Sequence, residues 1–437
     1  MSGTGKTLRL GVAGLGTVGG GLLKLIERQA ELRLPGKLEV VAVSARNKNR
    51  NRGVDISKFR WVDDPVELAL ADDIDVVVEL VGGSDGPAKR TVEAALKSGK
   101  SVVSANKALI AEHGIEIAAL AEKHEAHLLF EAAVAGAIPI VRAVKNSLSG
   151  VIVSRVSGIL NGTCNYILSE MLRTGAAYED VLADAQRLGY AESDPFLDVS
   201  GGDAAHKILI LAAIAFGAQP AFDEVQVEGI DKIEAMDITL ANKFDYRIKL
   251  VAEAFRVSNG KDGGGARCRV APVLVSKDHP LASVNGPLNA VVVEGEPVGR
   301  LTFTGPGAGS GPTAAAVMGD LARLFEGPAT PPLGKPARDL AAIIARADST
   351  TDQGSFFIGA KLADKPGMFA ALTEELAEAG VSIDKLIQES AGDTGAAPVA
   401  IMTHPCPRAS VEKALSKIAA LRITADEPRL LRIETRA

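Results

Sequence analysis

Leu8-Arg9-Leu10-Gly11-Val12-Ala13 runs straight into Gly14-Leu15-Gly16-Thr17-Val18-Gly19 and then into the helical pattern Leu22-Leu23-Lys24-Leu25-Ile26. A G-x-G-x-x-G passage between a buried strand and a helix restricts the fold more than any other part of the chain, because only a strand-turn-helix junction uses these glycines. They let backbone approach a pyrophosphate, while the helix N-terminus offers unpaired N–H groups and a dipole that favours negative charge. Further buried strands follow at Leu38–Val43, Asp75–Val81 and Lys100–Lys107, with a crossover helix from Pro87 to Ser98. That alternation predicts an α/β chain with a Rossmann-type dinucleotide-binding domain. Gly5-Lys6-Thr7, the tail of a P-loop pattern, has no strand before it and is incidental.

The second strand ends in Ser44-Ala45-Arg46 instead of an acid. An Asp or Glu there would bond the ribose 2′-hydroxyl of NAD and repel the phosphate of NADP. Arg46 and Lys48 invite that phosphate, so NADP is the preferred cofactor and NAD the lesser one, unless these cations only line a solvated loop. The strand read over Lys100–Lys107 carries Lys107 at its carboxyl end, and in an open parallel sheet that end faces the ligand crevice. It can reach the nicotinamide end or the substrate; the alternative is a surface lysine. Glu131 closes the next strand and precedes a loop of small residues. The carbonyls of Val134, Gly136 and Ile138, with the Glu131 carboxylate, can form an oxygen cage for a hard cation. Equally, the loop can pack on the cofactor.

From Gly189 to Lys207 the chain gathers Glu192, Asp194, Asp198 and Asp203 with Lys207, then enters Ile208-Leu209-Ile210-Leu211, apolar on every face. Charge is delivered to the mouth of a buried helix. Ser200 and Asp203 read as a capping box, which starts the helix near Gly201 and sets Asp203 and Lys207 one turn apart. A cap and an ordinary ion pair would account for those two, but not for Glu192 and Asp198.

At 437 residues, 47% of them hydrophobic, the chain has room for about three domains and a large core. A net charge of −6 gives no reason to expect nucleic acid or an anionic membrane as partner. Cys164, Cys268 and Cys406 are too few and too scattered for a disulfide framework, which points to a reducing compartment, the cytoplasm. No apolar stretch reaches the length of a membrane span.

These motifs resemble the homoserine dehydrogenase family over nearly the whole chain. The elements that carry the resemblance are Gly14–Gly19, Ser104-Ala105-Asn106-Lys107, Glu131–Pro139, Gly158-Ile159-Leu160-Asn161-Gly162-Thr163 and Gly189–Lys207. The resemblance implies NAD(P)-dependent interconversion of L-homoserine and L-aspartate 4-semialdehyde, on the route to threonine, methionine and isoleucine. It implies a proton-transferring Lys207 with Lys107 as partner, a substrate ammonium held at Glu192 beside Gly189, and Asp203 positioning the reacting end. Cofactor contacts carry over to Gly14, Gly16, Thr17, Val18, Gly19, Arg46, Ser104, Lys107 and Gly309. Glu131, Val134, Gly136 and Ile138 become a monovalent-cation site, for sodium. Residues 1–140 form the cofactor domain, completed by about 305–345, and 141–304 an α/β substrate-binding and dimerisation domain of a homodimer or homotetramer.

Glu253–Val257 and Ala266–Val270 read as a hairpin, and the Pro/Gly-rich Gly327–Pro336 as a surface connection leading to a boundary near residue 350. Residues 352–437 then run strand-helix-strand-strand-helix-strand, which resembles an ACT domain with Asp364-Lys365-Pro366-Gly367 as its opening turn. ACT domains bind small amino acids between paired copies, so inhibition by L-threonine is implied; a tail used only for assembly is the alternative. Two other functions compete. Cys164 could serve as the nucleophile of a semialdehyde dehydrogenase that forms a thioester. A non-catalytic nucleotide and amino-acid sensor would instead lack Lys107, Glu192 or Lys207, and all three are present.

Overall fold

The computed structural model describes residues 6–258, 264–340, 352–392 and 395–434. The turn expected inside the 253–270 hairpin and the boundary near residue 350 lie outside the described residues. The first layer holds β1 (Thr7–Ala13), α1 (Thr17–Glu27), β2 (Lys37–Ser44), β3 (Arg60–Val62), α2 (Val66–Leu70), β4 (Val76–Glu79), α3 (Pro87–Lys97), β5 (Ser101–Ser104), α4 (Lys107–Lys123) and β6 (Leu128–Leu129). All six strands are parallel, in the order β3-β2-β1-β4-β5-β6. With both faces covered, the strands are apolar throughout: Val76, Val77 and Val78 are all buried. The order reverses between β1 and β4, so the crevice for a dinucleotide opens above their carboxyl ends.

A short helix α5 (Ile140–Arg142) leads into β7 (Ile152–Ile159), α6 (Gly162–Thr174), α7 (Tyr178–Arg187), α8 (Phe196–Val199), α9 (Gly202–Phe216), β8 (Gln226–Val227), α10 (Ala235–Lys243), β9 (Tyr246–Ser258), β10 (Gly264–Ser276), β11 (Leu288–Glu296) and β12 (Gly299–Pro306). The chain then returns to the first layer through α11 (Ser310–Arg323), which packs along α1 and adds Val317, Met318 and Leu321 to the core beneath β1. The central element of the second layer is α9. Every one of its residues except Ala215 is buried, against β7, β9 and β10 on one side and α4 on the other. Ile208, Leu209, Ile210 and Leu211 are fully enclosed, and each such side chain contributes about 1.5–3 kcal/mol by burial. A rod anchored this firmly fixes whatever its first turn carries.

The tail folds as β13 (Gln353–Ala363), α12 (Met368–Glu378), β14 (Ile383–Gln388), β15 (Ala396–Thr403), the two-residue β16 (Cys406–Pro407), α13 (Arg408–Leu421) and β17 (Arg429–Ile433). This is the expected βαββαβ order. Its sheet does not stand apart, however. β17 pairs with β10, Val273 opposite Arg432 and Leu274 opposite Ile433, which merges both sheets into one of eleven strands. Salt bridges follow the same seam: Arg155 on β7 binds both Glu253 and Glu434 at 2.5 Å, and Arg269 binds Glu253 at 2.5 Å.

Candidate active site

The start of α9 departs from the sequence reading in one respect. Gly201, not Ser200, is the N-cap, and no side chain caps the helix, so the expected capping box is absent. Gly201 has φ 89°, a left-handed conformation that glycine adopts without strain, and a Cβ there would press on Val227 and Val270 at 3.0 and 3.1 Å. Freed from capping, Asp203 turns to other partners.

Those partners are the two lysines. Lys207 Nζ donates to Asp203 Oδ2 at 2.6 Å and to the Leu160 carbonyl at 2.7 Å. Lys107 Nζ lies 3.0 Å from Asp203 Oδ1. One carboxylate therefore joins an ammonium from each layer. Lys107 is not the last residue of a strand: β5 ends at Ser104, and Lys107, three residues on, is the first residue of α4, which Asn106 caps by accepting from the Leu109 N–H.

Asn161, which sequence reasoning passed over as a site residue, donates to both Asp203 Oδ2 (2.9 Å) and Asp198 Oδ1 (2.7 Å). It is the buried N-cap of α6, and an asparagine opening the Asn161-Gly162-Thr163 run after a strand was the available sequence signal. Burial alone would raise the Asp203 carboxyl, but the two ammonium groups and Asn161 hold it well below the carboxylate range. Asp203 in turn holds the Lys107 ammonium above its ordinary value against burial, with Asp198 and Glu192 adding to it. Asp198 is pushed up, first by burial and then by the charge of Asp203. Burying such charges costs desolvation that the pairing only offsets, so this cluster is not a device for stability.

Glu192 is exposed and its carboxylate makes no hydrogen bond among the described residues; it faces the site only through its charge. Gly189 forms the left-handed turn that ends α7, with Tyr190 N–H donating to the Ala185 carbonyl, and so aims the Glu192 loop. Cys164 is fully buried, its Sγ donates to the Asp198 carbonyl, and burial lifts its thiol well above the ordinary range. A thiol in that state is a poor nucleophile.

At the glycine-rich turn, a Cβ on Gly14 would strike the Leu80 carbonyl and one on Gly19 would strike the Gly14 carbonyl. A Cβ on Gly16 would meet nothing within 4 Å. The first and third glycines are needed for packing; the second leaves room for a ligand over the uncapped N-terminus of α1, where Thr17 and Val18 begin the helix. Gly309 caps α11, and Ser310 Oγ donates to the Thr17 carbonyl at 2.9 Å, tying the returning helix to this turn. The hydroxyl of Ser104 is committed elsewhere, donating to the buried Glu79 at 2.6 Å and accepting the Asn106 N–H.

Arg46 is exposed and unpaired among the described residues. A cavity of about 250 Å³ beside the turn is lined by Lys24, Arg50 and Arg52, none of which the sequence reading selected. Arg52 Nε donates to the Leu15 carbonyl at 3.1 Å. The alternation of Arg46, Lys48, Arg50 and Arg52 was the signal that could have found them.

Both oxygens of the buried Glu131 carboxylate accept backbone N–H groups, from Val141 and Arg142, each at 2.9 Å. Val134 precedes Ala135 and Gly136, which have φ 54° and 55°, and the Ile138 carbonyl accepts the Ile140 N–H at 2.8 Å. This loop rests on the 306–307 backbone: Ala137 N–H donates to the Pro306 carbonyl, and a Cβ on Gly136 would lie 2.6 Å from Gly307.

A parallel doubly wound sheet with a glycine-rich phosphate turn, facing two lysines bridged by a buried carboxylate, defines an NAD(P)-dependent dehydrogenase. The family profile described as homoserine dehydrogenase matches residues 139–322, its NAD-binding domain residues 14–131, and an ACT domain residues 356–422. A homoserine dehydrogenase of Neisseria gonorrhoeae is 40% identical over 440 residues, covering 98% of this chain and 99% of the relative. A crystal structure of a homoserine dehydrogenase from Thiobacillus denitrificans superposes with a TM-score of 0.88 at 38% identity, covering 98% of each chain. A hyperthermophilic archaeal homoserine dehydrogenase solved with NADPH aligns with a TM-score of 0.63 at 26% identity, over 74% of this chain and 99% of that one. The chain belongs to the homoserine dehydrogenase family.

Proposed function

We propose that the chain interconverts L-homoserine and L-aspartate 4-semialdehyde at the Lys107–Asp203–Lys207 cluster, with NADP preferred over NAD. The observation that carries this reading is the single carboxylate shared by two lysines from different layers. When bound, the nicotinamide supplies the hydride acceptor that no side chain can provide. Two of the three N–H groups of the Lys207 ammonium are taken by Leu160 and Asp203, which leaves one to give its proton to the alkoxide as the semialdehyde is reduced. In the oxidative direction the neutral amine takes the hydroxyl proton. Lys107, kept charged by Asp203, stabilises the developing alkoxide. Glu192 has the sign to hold the substrate ammonium, with Gly189 shaping its loop.

Arg46 is offered to the 2′-phosphate of NADP, with Gly14, Gly16, Thr17, Val18, Gly19, Ser104 and Gly309 shaping the cofactor crevice. Comparing kcat/KM for the two cofactors before and after Arg46→Ala checks this: the NADP advantage should shrink, and an unchanged ratio counts against it. The Glu131 carboxylate and the carbonyls of Val134, Gly136 and Ile138 combine one negative charge with neutral oxygens, a donor set suited to sodium more than to a divalent ion. Sodium chloride should raise the Tm above that in tetramethylammonium chloride at equal ionic strength, and Glu131→Gln should remove the difference. The ACT domain is read as the receptor for L-threonine, and the chain as a cytoplasmic homodimer or homotetramer. No helix among the described residues is long and apolar enough to cross a membrane.

A further inference from the structure

Two adjoining cavities separate the tail from the substrate layer. The larger, about 950 Å³, lies between α13 and the 228–236 segment; the smaller, about 350 Å³, lies between α13 and β10. They share Glu228, Arg408, Glu412 and Leu430, and the Arg408–Glu412 ion pair (2.7 Å) stands at their junction. Their linings differ in sign. Seven acidic and three basic side chains line the larger one, and four arginines against three acids line the smaller. Buried polar atoms without a hydrogen-bond partner line both, Asp426 Oδ1 with Arg429 Nε and Nη2 in the first and Arg267 Nε in the second.

A gradient from acid to arginine across one cleft suits a zwitterion. We propose that this cleft binds the head group of an α-amino acid, its carboxylate at Arg267 and Arg408 and its ammonium at Glu228 and Glu412, with the side chain along Leu415 and Leu430. The proposal rests on reading the tail as an amino-acid-responsive domain, but places the ligand within one chain and not between paired tails. Glu228 and Glu412 are both exposed, so the acidic end of the cleft opens to solvent and admits a ligand ammonium.

The cleft wall also touches the active site's foundation. Glu228 N–H donates to the Val270 carbonyl at 2.8 Å and Ile230 N–H to the Val199 carbonyl at 2.9 Å. Gly201 packs against Val227 and the Glu228 carbonyl, so a shift in this wall moves the turn that launches Asp203 and Lys207.

The test is a thermal-shift and binding screen of the L-α-amino acids on the full-length protein and on Arg408→Gln, Glu228→Gln and Ser416→Trp. At least one amino acid should raise the Tm of the wild type, and its Kd should rise about tenfold or more in each variant while basal kcat is kept, as expected from losing a charge-assisted contact. If Arg408→Gln or Glu228→Gln loses basal activity, Ser416→Trp decides, since it fills the cleft without removing a charge. No stabilising amino acid, or an unchanged Kd in the folded variants, overturns the cleft. A stabilising amino acid other than threonine that obeys the variants supports the cleft and removes threonine as effector. Threonine bound equally well by all the variants keeps the effector and removes the cleft.

Discussion

Asp203 decides the electrostatics of the site, because it answers two ammonium groups at once. In Asp203→Asn both lysines lose their shared counter-charge, and breaking a buried pair typically costs about 3–5 kcal/mol. We expect a lower Tm together with a fall in kcat/KM of roughly 10²–10⁴-fold. The pH dependence follows from the shifts. Asp203 is lowered, so its contribution is present above the unfolded carboxylate value of about 4 and fades as pH falls through its folded value. Lys107 is raised, so its contribution is complete below the unfolded lysine value of about 10.4 and fades only as pH rises past its higher folded value. The Tm gap between wild type and Asp203→Asn should therefore be flat from about pH 5 to 9 and narrow in stronger acid. A gap that widens below pH 4 would contradict the assignment. Asn161→Ala should reproduce part of the kcat loss with little change in NADPH affinity, since Asn161 holds Asp203 and not the cofactor.

The glycine-rich junction of β1 and α1 separates packing from binding within six residues. Gly14→Ala places a methyl against the Leu80 carbonyl and Gly16→Ala places one in open space. Gly14→Ala should lower the Tm, whereas Gly16→Ala should keep it while raising the KM for NADPH about tenfold or more. Equal Tm losses in both would mean that Gly16 is structural. This junction was legible in the sequence because strand, turn and helix signals fall in one local run. The start of α9 was only half legible. Its position followed from the apolar run after Lys207, but the capping box failed because an acid three residues after a serine looks the same whether it caps a helix or holds lysines brought from elsewhere. Lys107, the competing partner, lies nearly a hundred residues before Asp203 in the chain.

The tail's element order was readable from alternation and turn residues, yet its attachment was not. The β10–β17 pairing joins segments some 160 residues apart, and nothing in either strand's pattern distinguishes an open edge from a paired one. Removing residues beyond 350 would strip β13, β14, β15 and β17 from the sheet and leave Arg155 without Glu434 and Arg269 without Asp352. We expect that truncation to aggregate and to lose several degrees of Tm, because it bares a long edge strand. A truncated enzyme as stable as the full chain would show that the continuous sheet contributes nothing. At this scale the molecule brings a lysine from the nucleotide layer and a lysine from the substrate layer to one carboxylate. The most direct measurement is the turnover of Lys207→Met alongside its NADPH affinity. We expect kcat to fall by roughly 10²–10⁴-fold, the usual worth of a positioned proton-transfer group, with NADPH bound as in the wild type; a variant that keeps a tenth of wild-type kcat would contradict the role assigned to Lys207.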